Sequence, residues 1–402
     1  MTKENSKVFL LILLGMLTAF GPFVTDMYLP SLPSMGNYFH TTSSMVQLGL
    51  TTSMIGLAVG QIFFGPLSDR YGRRLPLLVA MGLFIVSTVL CLFSQNIHQF
   101  VAFRLIQGMA GAGGIVISRS IATDKYSGRE LAKMLAIIGA INGVAPVAAP
   151  IVGGLLTDTI GWRGIFWTLL GLGILLLAAC IRFRESLPYE RRSVEKWKDT
   201  FSSFGIVLRD RRYVCYVLQM AFAQGVLFAN IASSPFIVQQ HYGFSAFAFS
   251  ICFGINALAI GISAALSVKF HRQESSTLTG CCGMTVIAAI QCAALMSGCS
   301  FWVYEILMLA LLSFMGMTFT SSTALPMESQ RENSGTASAL LGAVCFAAGG
   351  IVSPLVGIGN ILSSTGIVFV VCACCSLLCT LMALGRRRTK LYFAFNGVSP
   401  KH

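Results

Sequence analysis

Twelve apolar runs, each about as long as a membrane is thick, constrain this chain more than any other feature. A helix needs about 20 apolar residues to cross a hydrocarbon core of roughly 30 Å, and among membrane-spanning structures only helices and closed barrels satisfy their own backbone hydrogen bonds. The chain has 402 residues, of which 55% are hydrophobic and 11% charged. We therefore predict an all-α integral membrane protein with spans at about 8–29, 45–66, 75–94, 99–120, 133–157, 163–182, 213–236, 246–268, 276–297, 302–324, 335–359 and 363–385.

The basic residues are placed in a way that explains the charge of the chain. A formal net charge of +13 could indicate a nucleic-acid-binding protein. If the predicted helices alternate in direction, however, nearly all of the 28 lysines and arginines fall on one side of the membrane, which the positive-inside rule identifies as cytoplasmic. We therefore expect both termini in the cytoplasm and no nucleic acid among the partners. The exceptions are Arg163, in a loop on the other side, and Arg104, inside the fourth span.

One long polar segment divides the chain into two similar halves. It predicts an N-terminal six-helix bundle at 1–182, a cytoplasmic linker at 183–212, and a C-terminal six-helix bundle with a basic tail at 213–402. Two motifs recur across the linker: LAVG at 57–60 returns as LAIG at 258–261, and PIVG at 150–153 returns as PLVG at 354–357. Both pairs fall in equivalent spans, which indicates a duplication. Transporters are commonly built from such repeats, with the substrate site between them near mid-membrane.

The linker itself could contain a helix that lies on the membrane surface. Its apolar residues recur at three- and four-residue steps, so one face of a helix would be apolar and the other basic. These residues are Val194, Trp197, Phe201, Phe204 and Leu208. A solvated linker without such a helix explains the segment nearly as well.

The loop after the second span, GPLSDRYGRR at 65–74, combines glycines with charge. Glycines permit a tight turn between packed helices, and Asp69 could meet the positive end of a neighbouring helix. The eleventh span offers such an end, where Asn333 or Ser334 could act as the cap. The loop resembles the inner-loop signature of the major facilitator superfamily, with the expected residues at Gly65, Asp69, Arg70, Gly72, Arg73 and Arg74. The resemblance implies a latch that closes the cytoplasmic side; a charged topological anchor is the alternative.

Three further motifs extend the resemblance along the first half. RLIQG at 104–108 is similar to a motif of the same superfamily, and GVAPVAAPIVGG at 143–154 resembles its antiporter motif, with Ala149-Pro150 in place of Gly-Pro. The repeated Ala-Pro, together with DMYLPSLP at 26–33, resembles the Bcr/CflA-type drug:proton antiporters. The resemblance implies the twelve-helix fold of two pseudo-symmetric bundles, and export of drugs or antibiotics against an inward proton flow.

The fifth span has a physical rationale of its own. Its prolines remove backbone donors and its glycines remove side-chain bulk, so the helix can bend and a neighbour can approach closely. The residues concerned are Pro146, Pro150, Gly153 and Gly154. They predict a hinge or a seal, although close packing through small residues is also common in membrane proteins that have no such role.

Two charged residues inside apolar runs are the candidates for proton coupling. Asp26 lies about four residues from the end of the first span and Arg104 about five residues into the fourth, so the two lie at comparable depth. Desolvation favours a neutral carboxyl group, whereas a nearby guanidinium favours the carboxylate. A direct or water-bridged pair whose separation changes during transport would therefore take up and release a proton. The alternative is that both side chains snorkel to the membrane interface.

Other polar residues at similar depth are candidates for the substrate cavity. They are Tyr28, Gln107, Asn142, Gln224, Asn230 and Asn256. Each amide could instead form an interhelical hydrogen bond. Because Thr18 stands where some related multidrug exporters carry a second acid on the first helix, the sequence predicts a mechanism with a single acid.

The sequence contains no pattern that predicts enzymatic activity. It has no nucleotide-binding G-x-x-x-x-G-K-[ST] motif, no set of nucleophile and base, and cysteines without metal-ligand spacing. We expect no metal and no cofactor, with the proton gradient as the energy source. The predicted protein is a monomer in the bacterial inner membrane that exports small amphipathic compounds. A proton-coupled uptake symporter of the same fold, for a small metabolite, is the alternative.

Overall fold

The protein consists of membrane-spanning helices joined by short connections. The computed structural model describes residues 5–192, 205–270, 272–330 and 334–395. Within these ranges, twelve helices are long and apolar enough to cross a membrane, which confirms the predicted fold class. They are α1 (Lys7–Asp26), α2 (Ser43–Tyr71), α3 (Arg74–Leu92), α4 (Ile97–Lys125), α5 (Gly128–Ile160), α6 (Trp162–Arg182), α7 (Arg211–Phe236), α8 (Ala246–Ser267), α9 (Gln273–Met296), α10 (Phe301–Ser329), α11 (Ser334–Leu355) and α12 (Ile361–Phe395).

The first helix is shorter than predicted. It ends at Asp26 rather than near residue 29, and the chain continues through a 3₁₀ turn at Leu29–Ser31 into a short helix at Leu32–Tyr38. The reason is Pro30, which has no backbone N–H and therefore cannot continue an α-helix beyond its first turn. As a result, the carboxyl group of Asp26 lies at a helix end.

Two pairs of helices join the halves of the molecule. The first six helices form one half and the last six the other; α2 packs against α11, and α5 packs against α8. We name the end of the molecule with the α2–α3 connection, which carries Arg70, Arg73 and Arg74, the basic end. The other end of the molecule, where Asp158 contacts Phe247, is named the opposite end.

Small residues bring α2 and α4 close together inside the first half. A Cβ atom added to Gly60 would lie 2.7 Å from the Cβ atom of Ala112, and one added to Gly56 would lie 2.7 Å from the backbone nitrogen of Met109. Such spacing leaves no room for side chains, as is usual where membrane helices pack tightly. Because α2 and α4 are this close, Arg104 of α4 reaches the backbone of α2.

The proposed surface helix of the linker lies mostly outside the described residues. Val194, Trp197, Phe201 and Phe204 fall in the undescribed range, whereas Leu208 belongs to a helical turn at 205–209 and is half exposed. The interfacial helix therefore stays a prediction.

Candidate functional site

Asp26 is a buried carboxyl group without a counter-charge. It is 7% exposed, and its Oδ1 accepts a hydrogen bond of 2.7 Å from the hydroxyl of Thr25. Among the described residues, no basic nitrogen lies within 4.0 Å of its carboxyl oxygens. An uncompensated charge is costly at such a position, and acids placed this way in membrane proteins usually serve a path for ions or substrate.

Arg104 is fully buried and its donors are used inside the first half. Its Nη2 donates to the carbonyl of Val24 in α1 at 3.0 Å, its Nε to the carbonyl of Gly49 in α2 at 3.4 Å, and its Nη1 to the side-chain oxygen of Gln107. The guanidinium carbon also lies 4.4 Å from the centre of the Tyr28 ring. The side chain therefore does not snorkel: it ties α1, α2 and α4 together.

Asp26 and Arg104 form no direct ion pair in the structure, since the guanidinium donates elsewhere; of the direct and the water-bridged pair, the water-bridged one stays a prediction. Val24 and Tyr28 are four residues apart, lie on one face of the chain, and both contact Arg104. Asp26 is two residues from each, or about 200° around a helix of 3.6 residues per turn, so it points away from that face. The two residues share a depth but not a direction.

The residue after Asp26, Met27, packs against a glycine of α5. A Cβ atom on Gly153 would lie 2.8 Å from the carbonyl carbon of Met27 and 3.2 Å from its Cα. On the next residue, a Cβ atom on Gly154 would lie 2.8 Å from the carbonyl oxygen of Ala246 and 3.0 Å from the Cα of Phe247. We call the contact of Gly154 with Ala246 and Phe247 the α5/α8 seam. The two adjacent glycines thus face α1 on one side and the other half of the molecule on the other.

Hydrogen bonds between the halves close the opposite end. The backbone N–H of Phe247 donates to Oδ2 of Asp158 at 3.0 Å, one turn beyond Gly154 along α5. The side-chain amide of Gln239 donates to the carbonyl of Pro30 at 2.9 Å, and that of Gln47 to the carbonyl of Ala232 at 3.0 Å. Pro146 and Pro150 lie inside an α5 that is continuous from Gly128 to Ile160, so their role as a hinge stays a prediction.

The residues proposed for the substrate cavity do not gather in one place. Tyr28 and Gln107 are fully buried beside Arg104. Asn230 of α7 is buried, and its Oδ1 has no hydrogen-bond partner. Gln224 is half-buried on the same helix, and the side chain of Asn142 lies outside the described part of the chain. Asn256 bonds to a residue that the sequence interpretation omitted, Glu305.

At the basic end, Arg73 is the centre of a network inside the first half. Its guanidinium donates to Asp69 and Ser68 of α2, and to Asp124 at the end of α4, where Nε and Oδ2 are 2.8 Å apart. Its backbone N–H donates to Glu185, just after α6, at 2.8 Å. Hydrogen bonds to acidic partners hold the pKa of the Arg73 guanidinium above its ordinary value, against the effect of its burial.

The backbone conformation of Gly72 explains why a glycine stands in this loop. Gly72 has φ +88°, and a Cβ atom there would lie 2.5 Å from Oε2 of Glu185. A side chain at this position would therefore be strained and would displace the carboxylate that binds the N–H groups of Arg73 and Arg74. The proposed latch between Asp69 and the start of α11 stays a prediction, because Asn333 and the side chain of Ser334 lie outside the described residues.

Several functional candidates were missed by the sequence interpretation. Glu305, an acid in the apolar run of α10, had the same signal as Asp26 and could have been found. Asp124, Glu185 and Asp158 are acids at helix ends whose partners lie far away in the sequence, so no local pattern pointed to them.

Twelve spanning helices in two packed halves, with a charged turn at one end and a glycine seam at the other, define a transporter. The chain belongs to the Major Facilitator Superfamily, whose family model matches residues 11–354. This confirms the resemblance that the four motifs indicated.

The chain is also similar to individual relatives. The transporter YdgK of Bacillus subtilis is 38% identical over 369 residues, which are 89% of this chain and 90% of the relative. A bicyclomycin resistance protein homolog of Haemophilus influenzae is 27% identical over 386 residues, 93% of this chain and 95% of the relative. Among solved structures, the xylose transporter XylE of E. coli in a partially occluded inward open conformation has a TM-score of 0.74 at 16% identity, over 94% of this chain and 97% of that one. At 16% identity, the similarity to XylE shows only a shared fold.

Proposed function

We propose that this protein exports small amphipathic compounds, antibiotics among them, in exchange for protons that flow inward across the bacterial inner membrane. The basic end faces the cytoplasm, as the positive-inside rule requires. The similarity to a bicyclomycin resistance protein homolog supports a drug as the substrate. One chain contains both halves, so a monomer suffices for alternating access.

The observation that carries the proposal is the contact between the candidate proton site and the antiporter motif. Asp26 is followed by Met27, whose backbone packs on Gly153, and Gly154 packs on Ala246 and Phe247 of the other half. A change at Asp26 would therefore be transmitted through Met27, Gly153 and Gly154 to the interface that closes the opposite end. This arrangement links the charge of one carboxyl group to access from one side of the membrane.

The mechanism follows from the cost of burying a charge. In the closed arrangement Asp26 is buried and has one hydrogen-bond donor, Thr25, so the neutral acid is compatible with burial and the carboxylate is not. Loading a proton from the outside permits closure of the opposite end. Loss of that proton toward the cytoplasm, favoured when a substrate enters, leaves a carboxylate that needs water and so favours reopening.

The test is Asp26→Asn, which keeps the shape and removes the titratable proton. We expect normal amounts of protein in the membrane, but no drug-driven proton release from proteoliposomes and no resistance in a pump-deficient bacterium exposed to a panel of toxic compounds. Thr25→Val is the matched control, since it removes the hydrogen bond and keeps the acid; it should retain coupled export with an altered pH profile. Undiminished proton release in Asp26→Asn would rule out the coupling role.

The same vesicles distinguish export from uptake. With the proton concentration higher on the side that faces the opposite end, an antiporter moves the compound toward that side, whereas a symporter moves it away. If a compound moves in the same direction as the protons, the protein is an uptake symporter of the same fold and the antiporter proposal is wrong.

A further inference from the structure

Glu305 places a second carboxyl group inside the membrane, in the half of the molecule that lacks Asp26. It is the fifth residue of α10, and it is followed by the apolar run ILMLALL. An aromatic cluster lies one turn nearer the opposite end, where the rings of Phe301 and Phe244 are 4.4 Å apart. Aromatic residues mark the interface of a membrane, so Glu305 lies on the hydrocarbon side of that interface.

The hydrogen bonding of Glu305 is that of an acid without a counter-charge. Its Oε1 accepts from Nδ2 of Asn256 in α8 at 2.9 Å. Among the described residues, no lysine, arginine or histidine nitrogen lies within 4.0 Å of its carboxyl oxygens. An amide donor stabilises a carboxylate far less than a cation does, and an unpaired charge at this depth is costly.

The titratable groups around Glu305 supply no positive charge. They are Tyr304 on its own helix and Cys252 on α8. One layer further, Tyr242, from the connection between α7 and α8, and Cys299, from the loop before α10, bond to one another beside Tyr304. Phenols and thiols are neutral at physiological pH. In the part of the chain that the structure describes, no group near Glu305 therefore compensates its negative charge when it is ionised.

The side-chain oxygen of Asn256, Oδ1, indicates which protonation state of Glu305 fits the site. Its Oδ1 is buried and has no hydrogen-bond partner. A protonated carboxyl group has both an acceptor oxygen and an O–H donor, so it can accept from Nδ2 and donate to Oδ1 of the same amide. An ionised carboxylate cannot donate, and it would leave the buried Oδ1 of Asn256 unsatisfied, which is unfavourable. Acid and amide satisfy each other only when the proton is present.

We propose that Glu305 is a second proton-binding residue of this protein, held in its protonated form by Asn256 in the arrangement with the opposite end closed. Each half then contributes one acid to proton binding inside the membrane, Asp26 in α1 and Glu305 in α10. This replaces the single-acid mechanism that the sequence predicted. When the proton leaves Glu305 for water, the carboxylate remains and the bond to Oδ1 is lost.

Asn256 also connects this acid to the seam between the halves. It lies on α8, whose first turn contacts Gly154 and donates a backbone hydrogen bond to Asp158. Opening the α5/α8 seam frees that turn, and a shift of α8 relative to α10 separates the amide from the acid. Proton loss from Glu305 would therefore accompany opening.

Infrared spectroscopy of the purified full-length protein in phosphatidylcholine vesicles tests proton occupancy without any substrate. The carbonyl stretch of protonated carboxyl groups is recorded across a pH titration in H₂O and D₂O. We expect two deuterium-sensitive bands from buried acids, one lost in Asp26→Asn and the other in Glu305→Gln. Glu274→Gln is the control, since Glu274 pairs with Arg212 at 3.3 Å at the basic end, and its removal should leave both bands.

A second variant keeps the test decisive if Glu305→Gln folds poorly. Asn256→Leu retains the acid and removes the amide, so the Glu305 band should move to the higher frequency of an acid with fewer hydrogen bonds. A spectrum of Glu305→Gln that equals that of the wild type, or an Asn256→Leu spectrum without a shifted band, would overturn the proposal.

The contribution of Glu305 to transport rests on the proposed function and is measured separately. With an exported compound from the resistance panel, Glu305→Gln should halve the number of protons released per molecule transported, whereas Asp26→Asn abolishes release. An unchanged proton-to-compound ratio in Glu305→Gln would mean that Glu305 does not take part in proton coupling. If the band is lost in Glu305→Gln but the wild type exports no compound, the proton site stands and the exporter proposal fails.

Discussion

At the scale of single residues, Arg104 and Asp26 differ in how completely their polar atoms are satisfied. Arg104 donates to two carbonyl groups and a side-chain amide and lies over an aromatic ring. Asp26 has one hydrogen-bond donor, its neighbour Thr25. A fully bonded cation has little reason to move, whereas an under-bonded acid changes its state readily. We therefore assign structure mainly to Arg104 and proton exchange to Asp26.

The substitution Arg104→Lys tests this division. Lysine keeps the charge but cannot reach Val24, Gly49 and Gln107 with one ammonium group, because it lacks the planar fork of the guanidinium. Loss of these buried bonds should cost about 1–3 kcal/mol, measured as a lower melting temperature of the purified protein. Arg163→Lys is the control: Arg163 also donates hydrogen bonds and lies over the ring of Tyr38, but its side chain is exposed, so the loss should be smaller and the variant should melt closer to the wild type. A normal melting temperature with loss of coupled export in Arg104→Lys would instead make Arg104 part of the proton pathway.

The sequence could supply the depth of these residues but not their direction. Counting residues along α1 and α4 placed Asp26 and Arg104 at the same level. The face to which each side chain points depends on where the helix ends and on what packs against it. For Asp26 this was decided by Pro30, which ends α1, and by the contact of Met27 with Gly153, a residue 126 positions away in the sequence (153 minus 27).

At the scale of elements, α5 is the part that connects the proposed proton site with the other half. Gly153 contacts α1, Gly154 contacts α8, and Asp158 accepts a hydrogen bond from the first turn of α8. The glycine pair was visible in the sequence as a place of close approach. Which helices approach it was not visible, since that depends on the packing of both halves.

The substitution Gly154→Leu should separate the two halves at the opposite end. Its Cβ atom would fall 2.8 Å from the carbonyl oxygen of Ala246 and 3.0 Å from the Cα of Phe247, and overpacking of this kind typically costs about 1–3 kcal/mol. If the cost falls on the closed arrangement alone, its population drops about 5–150-fold. We expect loss of drug efflux, together with faster decay of a pH gradient in proteoliposomes.

Gly143→Leu is the matched control on the same helix. A Cβ atom at Gly143 meets nothing within 4 Å, so this variant adds the same side chain without a clash and should export normally. Membrane abundance is measured first for both variants. Normal abundance and normal coupled efflux in Gly154→Leu would contradict the role of the seam, and with it the main reason for antiport rather than symport.

At the scale of the whole molecule, the proposed alternating cycle needs a state in which the opposite end is closed, and the structure has the contacts of such a state. The opposite end is held closed by backbone and side-chain hydrogen bonds between the halves, including Gln239 to Pro30 and Gln47 to Ala232. The number of helices, their order and the duplication followed from hydropathy and repeats. These contacts did not, because they join residues 185 and 209 positions apart whose only local signal is a polar amide near the end of a helix.

Asp158 provides a test of how firmly this end is closed. Its carboxylate accepts from the backbone N–H of Phe247 at 3.0 Å. The N–H groups in the first turn of a helix such as α8 have no partner within the helix and carry a partial positive charge. Removing a side-chain cap typically costs about 1 kcal/mol, so Asp158→Ala should lower the ratio of closed to open molecules about 5-fold. Asp158→Asn, which keeps an acceptor oxygen but not the charge, should have a smaller effect.

Hydrogen–deuterium exchange of the protein in vesicles measures this ratio directly. In Asp158→Ala we expect faster exchange both in the first turn of α8 and in the short helix at Leu32–Tyr38, because the two segments become exposed together when the opposite end opens. Glu274→Gln is the control, since Glu274 pairs with Arg212 inside one half of the molecule at the basic end, and it should leave both segments unchanged. Faster exchange confined to the first turn of α8 would mean that Asp158 only caps a helix. The closure of this end would then rest on the α5/α8 seam and the amides of Gln47 and Gln239 alone.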